Sequence, residues 1–134
     1  MTAVVCDSNV YISAIVFGGT PRDVLSLAER GKTQLLISHT LMSEVEGVLE
    51  RKFAWEPRQI RRICRPLWKA ACLVEPETEI SDCRDPKDNH LLALAVDGKA
   101  DVIVTGDRDL LVLHPFRGVH ILSPAEFLET EHFK

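Results

Sequence analysis

Ala3-Val4-Val5-Cys6-Asp7-Ser8-Asn9 opens the chain with an unbroken apolar run that stops on an acid. The run reads as a strand buried on both faces that delivers Asp7 to its carboxyl end. Further apolar runs of this kind stand at Leu35 to Ile37, Cys72 to Val74, Val102 to Val104 and Val119 to Leu122, and helical patterns fill most of the intervals. Three helix starts share one device: Thr20-Pro21-Arg22-Asp23, Asp85-Pro86-Lys87-Asp88 and Ser123-Pro124-Ala125-Glu126 each offer a cap, a proline at the first helical position and an acid two residues on. Ser38 is a cap for a helix predicted over Thr40 to Arg51, whose Leu41, Val45, Val48 and Leu49 recur at helical spacing. Pro57 and Pro66 bound or kink the middle helical segment. Strands alternating with helices predict a three-layer α/β/α sandwich around a mostly parallel sheet of about five strands, with right-handed crossovers.

A length of 134 residues suits a single domain, taken as 1–134. With 46% apolar and 27% charged residues, the chain falls outside the disordered and collagen-like classes. No apolar run approaches the roughly 20 residues that span a membrane. Met1-Thr2 puts no basic region ahead of the first apolar stretch, so the N-terminus reads as a strand and not as a secretory signal. The expectation is a cytoplasmic protein with no membrane partner. Cys6, Cys64, Cys72 and Cys83 form no C-x-x-C pair, and no histidine stands at a zinc-like spacing from them, so they read as buried or incidental thiols. His39, His114, His120 and His132 likewise lack metal-ligand spacing. Gly18-Gly19 lacks the rest of a dinucleotide fingerprint, and the serines lack a nucleophile-elbow context.

Open parallel sheets gather functional groups beyond the carboxyl ends of their strands. Asp7 follows Val4-Val5-Cys6 and Asp107 follows Val102-Ile103-Val104-Thr105-Gly106, so both belong at that edge. Glu44 lies about one and a half turns into the helix after the second strand, and Asp88 lies just after Pro86, so all four acids can share one cleft. Crowded carboxylates repel and raise one another's pKa unless a divalent cation stands between them, and hard oxygen ligands suit Mg²⁺ or Mn²⁺. Plainer readings exist for some members: Asp88 occupies a capping-box position near Asp85, and Glu44 shares its helix with the solvated acids Glu46 and Glu50. Asp7 resists such a reading, because an acid directly after a central apolar strand needs a partner. His90, next to Asp88-Asn89, reads as structural or as support for an acid.

Four segments, Val4-Val5-Cys6-Asp7-Ser8-Asn9-Val10, Ser43-Glu44-Val45, Asp85-Pro86-Lys87-Asp88-Asn89-His90-Leu91-Leu92-Ala93-Leu94-Ala95 and Val104-Thr105-Gly106-Asp107-Arg108-Asp109-Leu110-Leu111, resemble the PIN-domain family in order and separation, over essentially the whole chain. The resemblance is to the VapC-like toxin ribonucleases of prokaryotic toxin-antitoxin pairs. It implies a metal-dependent endoribonuclease whose acids map onto Asp7, Glu44, Asp88 and Asp107 and which leaves 5′-phosphate and 3′-hydroxyl ends. It also implies an inhibitory antitoxin and a homodimer, with Phe17, Phe53 and Trp55 as exposed apolar contacts. Ser8, Asn9 and Thr105 match the family's small polar residues beside the acids, suited to orienting carboxylates or water. Asp85 and Asp109 are near neighbours able to share or replace a role, and Asp-Pro-Lys-Asp-Asn departs from the simpler Asp-x-Leu-Ile-Ala of many relatives, which leaves Asp85 a rival to Asp88. A non-catalytic RNA-binding or adaptor module of the same fold is the competing expectation. A receiver-type phosphoryl acceptor would want a lysine after a late strand, and Val119-His120-Ile121-Leu122-Ser123-Pro124 offers none.

The net charge of −4 argues mildly against a nucleic-acid partner, yet seven of the sixteen basic residues, Arg51, Lys52, Arg58, Arg61, Arg62, Arg65 and Lys69, fall in one stretch opposed by Glu56 alone. Spacings of three and four put Arg58, Arg61, Arg62, Arg65 and Lys69 on one helical face, with Ile60, Ile63, Cys64 and Leu67 opposite. A solvated amphipathic helix explains the same pattern; the local charge imbalance favours contact with RNA. Phe53 and Trp55, bracketed by the basic run, are candidates for base stacking or for the core.

Overall fold

Five short strands, β1 (Thr2–Cys6), β2 (Thr33–Ile37), β3 (Cys72–Leu73), β4 (Val102–Val104) and β5 (His120–Leu122), form one parallel sheet in the computed structural model of the chain, which describes residues 1–130. Their spatial order is β3-β2-β1-β4-β5. Between and after them run α1 (Ser8–Val16), α2 (Gly19–Glu29), α3 (His39–Phe53), α4 (Pro57–Ala70), α5 (Asn89–Asp97), α6 (Arg108–Leu111) and α7 (Pro124–Leu128). The last positions of the expected domain, His132 among them, lie outside the described residues.

Val4, Val5 and Cys6 are all buried, as are Val102, Ile103 and Val104, so successive side chains on both faces need cover. From β1 the chain steps outward to β2 and then β3, and of the intervening helices α1 packs on both α2 and α3, α3 packs on α4, and α7 joins against α2. It then jumps back over β1 to β4. A right-handed crossover in that reversed direction puts its helix on the opposite face, where α5 packs on β1, β2 and β4. The reversal falls between β1 and β4, whose register Val5 to Ile103 and Cys6 to Val104 brings their carboxyl ends level. Asp7 extends that ladder by one bond, its N–H donating to Val104 O at 2.9 Å. Such a reversal point is where an open α/β sheet leaves a crevice.

Local signals agree with the structure where the cap chemistry is complete. Ser123 and Glu126 close a reciprocal capping box on α7, and Ser38 Oγ accepts the Leu41 N–H at the start of α3. Pro57 is the first residue of α4, and the helix runs on through Pro66. Two starts differ from expectation. The α2 helix begins at Gly19, before Thr20, because Gly18 at φ 79° makes the turn out of α1 that glycine adopts without strain, and no side chain caps it. Asp85 does cap, accepting the Lys87 N–H at 3.1 Å, but over a single 3-10 turn at Pro86–Asp88, and α5 starts only at Asn89.

On α4, Ile60 and Cys64 are buried and Leu67 is half-buried, whereas Ile63 departs from the expected stripe at 37% exposed. Phe53 and Trp55, expected among exposed contacts, are half-buried against the core. Phe17 is exposed as expected, and its ring meets Phe53 edge-on at 6.1 Å. All four cysteines are free, with Cys72 exposed and the others buried. Among the described residues no helix is long and apolar enough to cross a membrane.

Candidate active site

Asp7 leaves β1 into a nearly closed environment, 2% exposed, and its carboxylate meets the hydroxyl of Thr105 just beyond β4. Thr105 Oγ1 donates to Asp7 Oδ2 at 2.7 Å and accepts the Asp107 N–H at 3.0 Å, so one buried hydroxyl ties the two strand-end acids to a common rim. Burial pushes the Asp7 carboxyl above its ordinary range; the Thr105 hydroxyl and the Asn9 backbone N–H pull it back, and the charge of Glu44 adds to the rise. Asn9 therefore bears on Asp7 through its backbone, while its side chain is exposed.

Glu44 enters from α3 with both oxygens engaged. Ser8 Oγ donates to Oε1 at 2.7 Å, and His90 Nε2 stands 2.9 Å from Oε2. The hydrogen bond with His90 is the main reason that the Glu44 carboxyl lies below its ordinary range, with burial opposing and Ser8 assisting. Ser8 Oγ is also 3.3 Å from Asp7 Oδ1, so it bridges Glu44 and Asp7 with its shorter bond on Glu44. A connected series thus runs from His90 through Glu44, Ser8, Asp7 and Thr105 to Asp107.

Asp88 is arranged differently. Its side chain makes no cap, contrary to the capping-box reading; Asp85 takes that task, and the Asp88 N–H donates to Asp85 O at 3.0 Å. The Asp88 carboxyl instead faces that of Asp107. Burial, the hydrogen bond with Asp107 and the charges of Asp7, Asp107 and Asp85 together push it up to about 7. Its Oδ2 is buried without a hydrogen-bond partner. Asp107 caps α6, its Oδ1 accepting the Asp109 N–H at 2.9 Å, so Asp109 supports Asp107 through its backbone. Asp85 and Asp109 accordingly stand beside the cluster as supports.

Among the described residues no three His, Cys, Asp or Glu side chains stand close enough to form a ready-made metal shell. The donor chemistry nonetheless fits a hard divalent cation. The cluster is all-oxygen, two of its carboxyls face each other, and a buried carboxylate oxygen is left without a donor. Asp7, Asp88 and Asp107 are the residues that would hold such an ion, with Glu44 beside them.

The basic residues form a separate feature. Arg58, Arg61, Arg62, Arg65 and Lys69 line one open furrow along α4 with Pro66, and Arg51 and Lys52 are exposed in the last turn of α3. None of these seven makes an ion pair among the described residues, and none of the four acids lines the furrow.

His90, read from the sequence as structural or as support for an acid, finds its partner in Glu44, while the role of Cys83 escaped local sequence signals. The His90 contact with Glu44 joins residues 46 apart in the chain, and only the tertiary fold creates it. Cys83 ties down the loop before Asp88: its N–H donates to Asn89 Oδ1 at 2.8 Å and its thiol to Asp109 O at 3.6 Å. Nothing in the cysteine spacing marks that role.

A family model described as PIN domain matches residues 3–109, a span that includes all four acids. An uncharacterized protein of Methanocaldococcus jannaschii is 30% identical over 139 aligned positions, covering 94% of this chain and 89% of the relative. Among solved structures, VapBC2 from Rickettsia felis, bound to a DNA fragment from its promoter, is similar in fold with a TM-score of 0.61 at 13% identity, covering 90% of this chain and 97% of the other.

Proposed function

This chain belongs to the PIN-domain family, and from that premise we propose that it is a Mg²⁺- or Mn²⁺-dependent endoribonuclease serving as the toxin of a toxin-antitoxin pair. The observation that carries the reading is the facing pair Asp88 and Asp107 beside buried Asp7, an anionic cluster with an unpartnered carboxylate oxygen and no cationic side chain in contact among the described residues. A bound divalent ion would polarise a scissile phosphate and lower the pKa of an attacking water.

The chain's own contribution is orientation. Thr105 fixes the Asp7 rotamer, the Asp109 N–H fixes Asp107, and Ser8 with His90 fixes Glu44. Glu44, held ionised by its donors, is placed to accept a proton or to aim a water. The furrow from Arg58 to Lys69 supplies uncompensated positive charge for an RNA backbone, offsetting the net charge of the chain. An antitoxin partner is proposed by analogy with the VapBC2 assembly of similar fold. A homodimer using the exposed Phe17 and a cytoplasmic location complete the proposal.

The decisive experiment is Asp7→Asn. The variant should keep its circular dichroism spectrum and lose Mg²⁺-dependent cleavage of RNA. Retained cleavage removes Asp7 from the chemistry. A wild-type protein that neither cleaves RNA nor takes up Mn²⁺ in a calorimetric titration points to the non-catalytic adaptor instead.

A further inference from the structure

His90 is the second residue of α5, and Glu44 lies on α3 in the opposite helical layer, so their contact closes across the carboxyl edge of the sheet. The imidazole is largely enclosed, its side chain 19% exposed, and Nδ1 is buried with no hydrogen-bond partner. The bond from Nε2 to Glu44 Oε2 is therefore the ring's one hydrogen bond among the described residues, and it is also the one protein donor on that oxygen. A glutamate carries three side-chain torsions, and a single hydroxyl on Oε1 would leave its carboxylate free to swing.

The consequence passes along the site. Ser8 Oγ has one proton and two carboxylates within reach, Glu44 Oε1 at 2.7 Å and Asp7 Oδ1 at 3.3 Å. While Glu44 is held, Ser8 commits its proton there, and the Asp7 carboxylate is set by Thr105 on Oδ2 and by the Asn9 backbone N–H, with only the longer Ser8 contact on Oδ1. If Glu44 swings away, the Ser8 hydroxyl is free to turn wholly to Asp7 Oδ1, and the link that sets the two carboxylates relative to each other is lost.

We propose that His90 is a positioning residue that fixes Glu44 and, through Ser8, the placing of Glu44 relative to Asp7 for a divalent cation, a role that rests on the metal-dependent reading above. The residue acts by geometry and donation alone, so a side chain that places an N–H near the same point should substitute for it.

The test compares His90→Ala with His90→Gln, whose amide can donate to the same carboxylate. Three quantities are measured for each: Mn²⁺ affinity by calorimetry on metal-free protein, kcat and KM for Mg²⁺-dependent RNA cleavage, and Tm. His90→Ala should lose about 10- to 100-fold in Mn²⁺ affinity or kcat, the usual consequence of removing a residue that orients a ligand, with KM for RNA unchanged. His90→Gln should recover most of that loss. The inference is overturned if His90→Ala matches wild type in both quantities, or if His90→Gln falls as far as His90→Ala. Wild-type protein that binds Mn²⁺ but cleaves no RNA refutes the nuclease reading, while the Mn²⁺ titrations still decide the role of His90. Wild-type protein that binds neither Mn²⁺ nor Mg²⁺ and cleaves no RNA overturns both.

Discussion

Replacing Asp88 by Asn should stabilise the metal-free protein, and by an amount that grows with pH. Burial and the neighbouring acids push the Asp88 carboxyl up to about 7. The sign follows from proton counting. Between the ordinary carboxyl range and pH 7 the folded chain keeps a proton that the unfolded chain has released, so stability falls as pH rises through that window and levels off above it. A carboxyl moved from about 4 to about 7 represents about 4 kcal/mol at full weight. The Asp88 side chain is only half-buried, and solvent screening reduces the figure to about 1–2 kcal/mol. In a domain of this size that corresponds to roughly 3–10 °C in Tm.

The assay is a set of thermal melts of wild type and Asp88→Asn in EDTA from pH 4 to pH 9. The difference in Tm, variant minus wild type, should be near zero at pH 4 and reach its full value above pH 7. Glu44 is shifted the other way, and its contribution is already complete above the ordinary carboxyl range, so the difference between the two proteins isolates Asp88. Adding Mn²⁺ at pH 8 should reverse the ranking by stabilising wild type more than the variant. A difference that is flat across the pH range, or that shrinks as pH rises, refutes the claim that Asp88 is held among like charges.

Thr105→Val keeps the side-chain shape but removes the hydroxyl shared by Asp7 and Asp107, which should cost about 1.5–3 kcal/mol because a buried carboxylate loses its donor; urea denaturation at pH 7 measures it. Ala54 ends α3 in the left-handed region at φ 56°, so Ala54→Gly should raise stability by about 0.5–1 kcal/mol, read as a higher urea midpoint with unchanged slope. Changing Arg61 and Arg65 to Gln should weaken RNA binding and reduce the dependence of log K on log salt by about 0.7 per residue removed, measured by fluorescence anisotropy across salt concentrations. An unchanged slope would assign the furrow to solvation.

What the sequence made legible is what local chemistry determines. The central strands β1 and β4 read as apolar runs because both of their faces are covered, and Asp7 and Asp107 stand out because they follow these two runs; the apolar run at Cys72 to Val74 gives only the exposed edge strand β3. The Ser123 box closes because cap and acid lie three residues apart and need nothing from elsewhere. Thr20 misled because the conformation of Gly18, invisible in the residue pattern, moved the helix start forward. Asp88 was ambiguous for a related reason. Its spacing from Asp85 fits a cap, and only the 3-10 geometry, which lets Asp85 alone cap the turn, frees Asp88 to face Asp107. His90 required a partner 46 residues away, and no periodicity encodes that.

The acids therefore divide by how they are held. Asp7, Glu44 and Asp107 each accept a hydrogen bond from a hydroxyl, an imidazole or a backbone N–H that belongs to a well-packed strand end or helix. Asp88 has no such donor; its place is set by a short turn, itself fastened by the Asp85 cap and by Cys83 on Asn89. A change in the charge balance of the cleft acts first on the member with the least support. Three acids thus supply a fixed frame, and Asp88, pushed up by burial and by its acidic neighbours and without a donor of its own, is the member with the least support. The same reasoning predicts that Asn89→Ala, which removes the acceptor of the Cys83 N–H, perturbs Mn²⁺ affinity through Asp88 while leaving the hydrogen bonds around Asp7 intact. Amide exchange measured along the chain would locate the change between residues 83 and 89, and increased exchange at Asp7 or Thr105 would contradict this division.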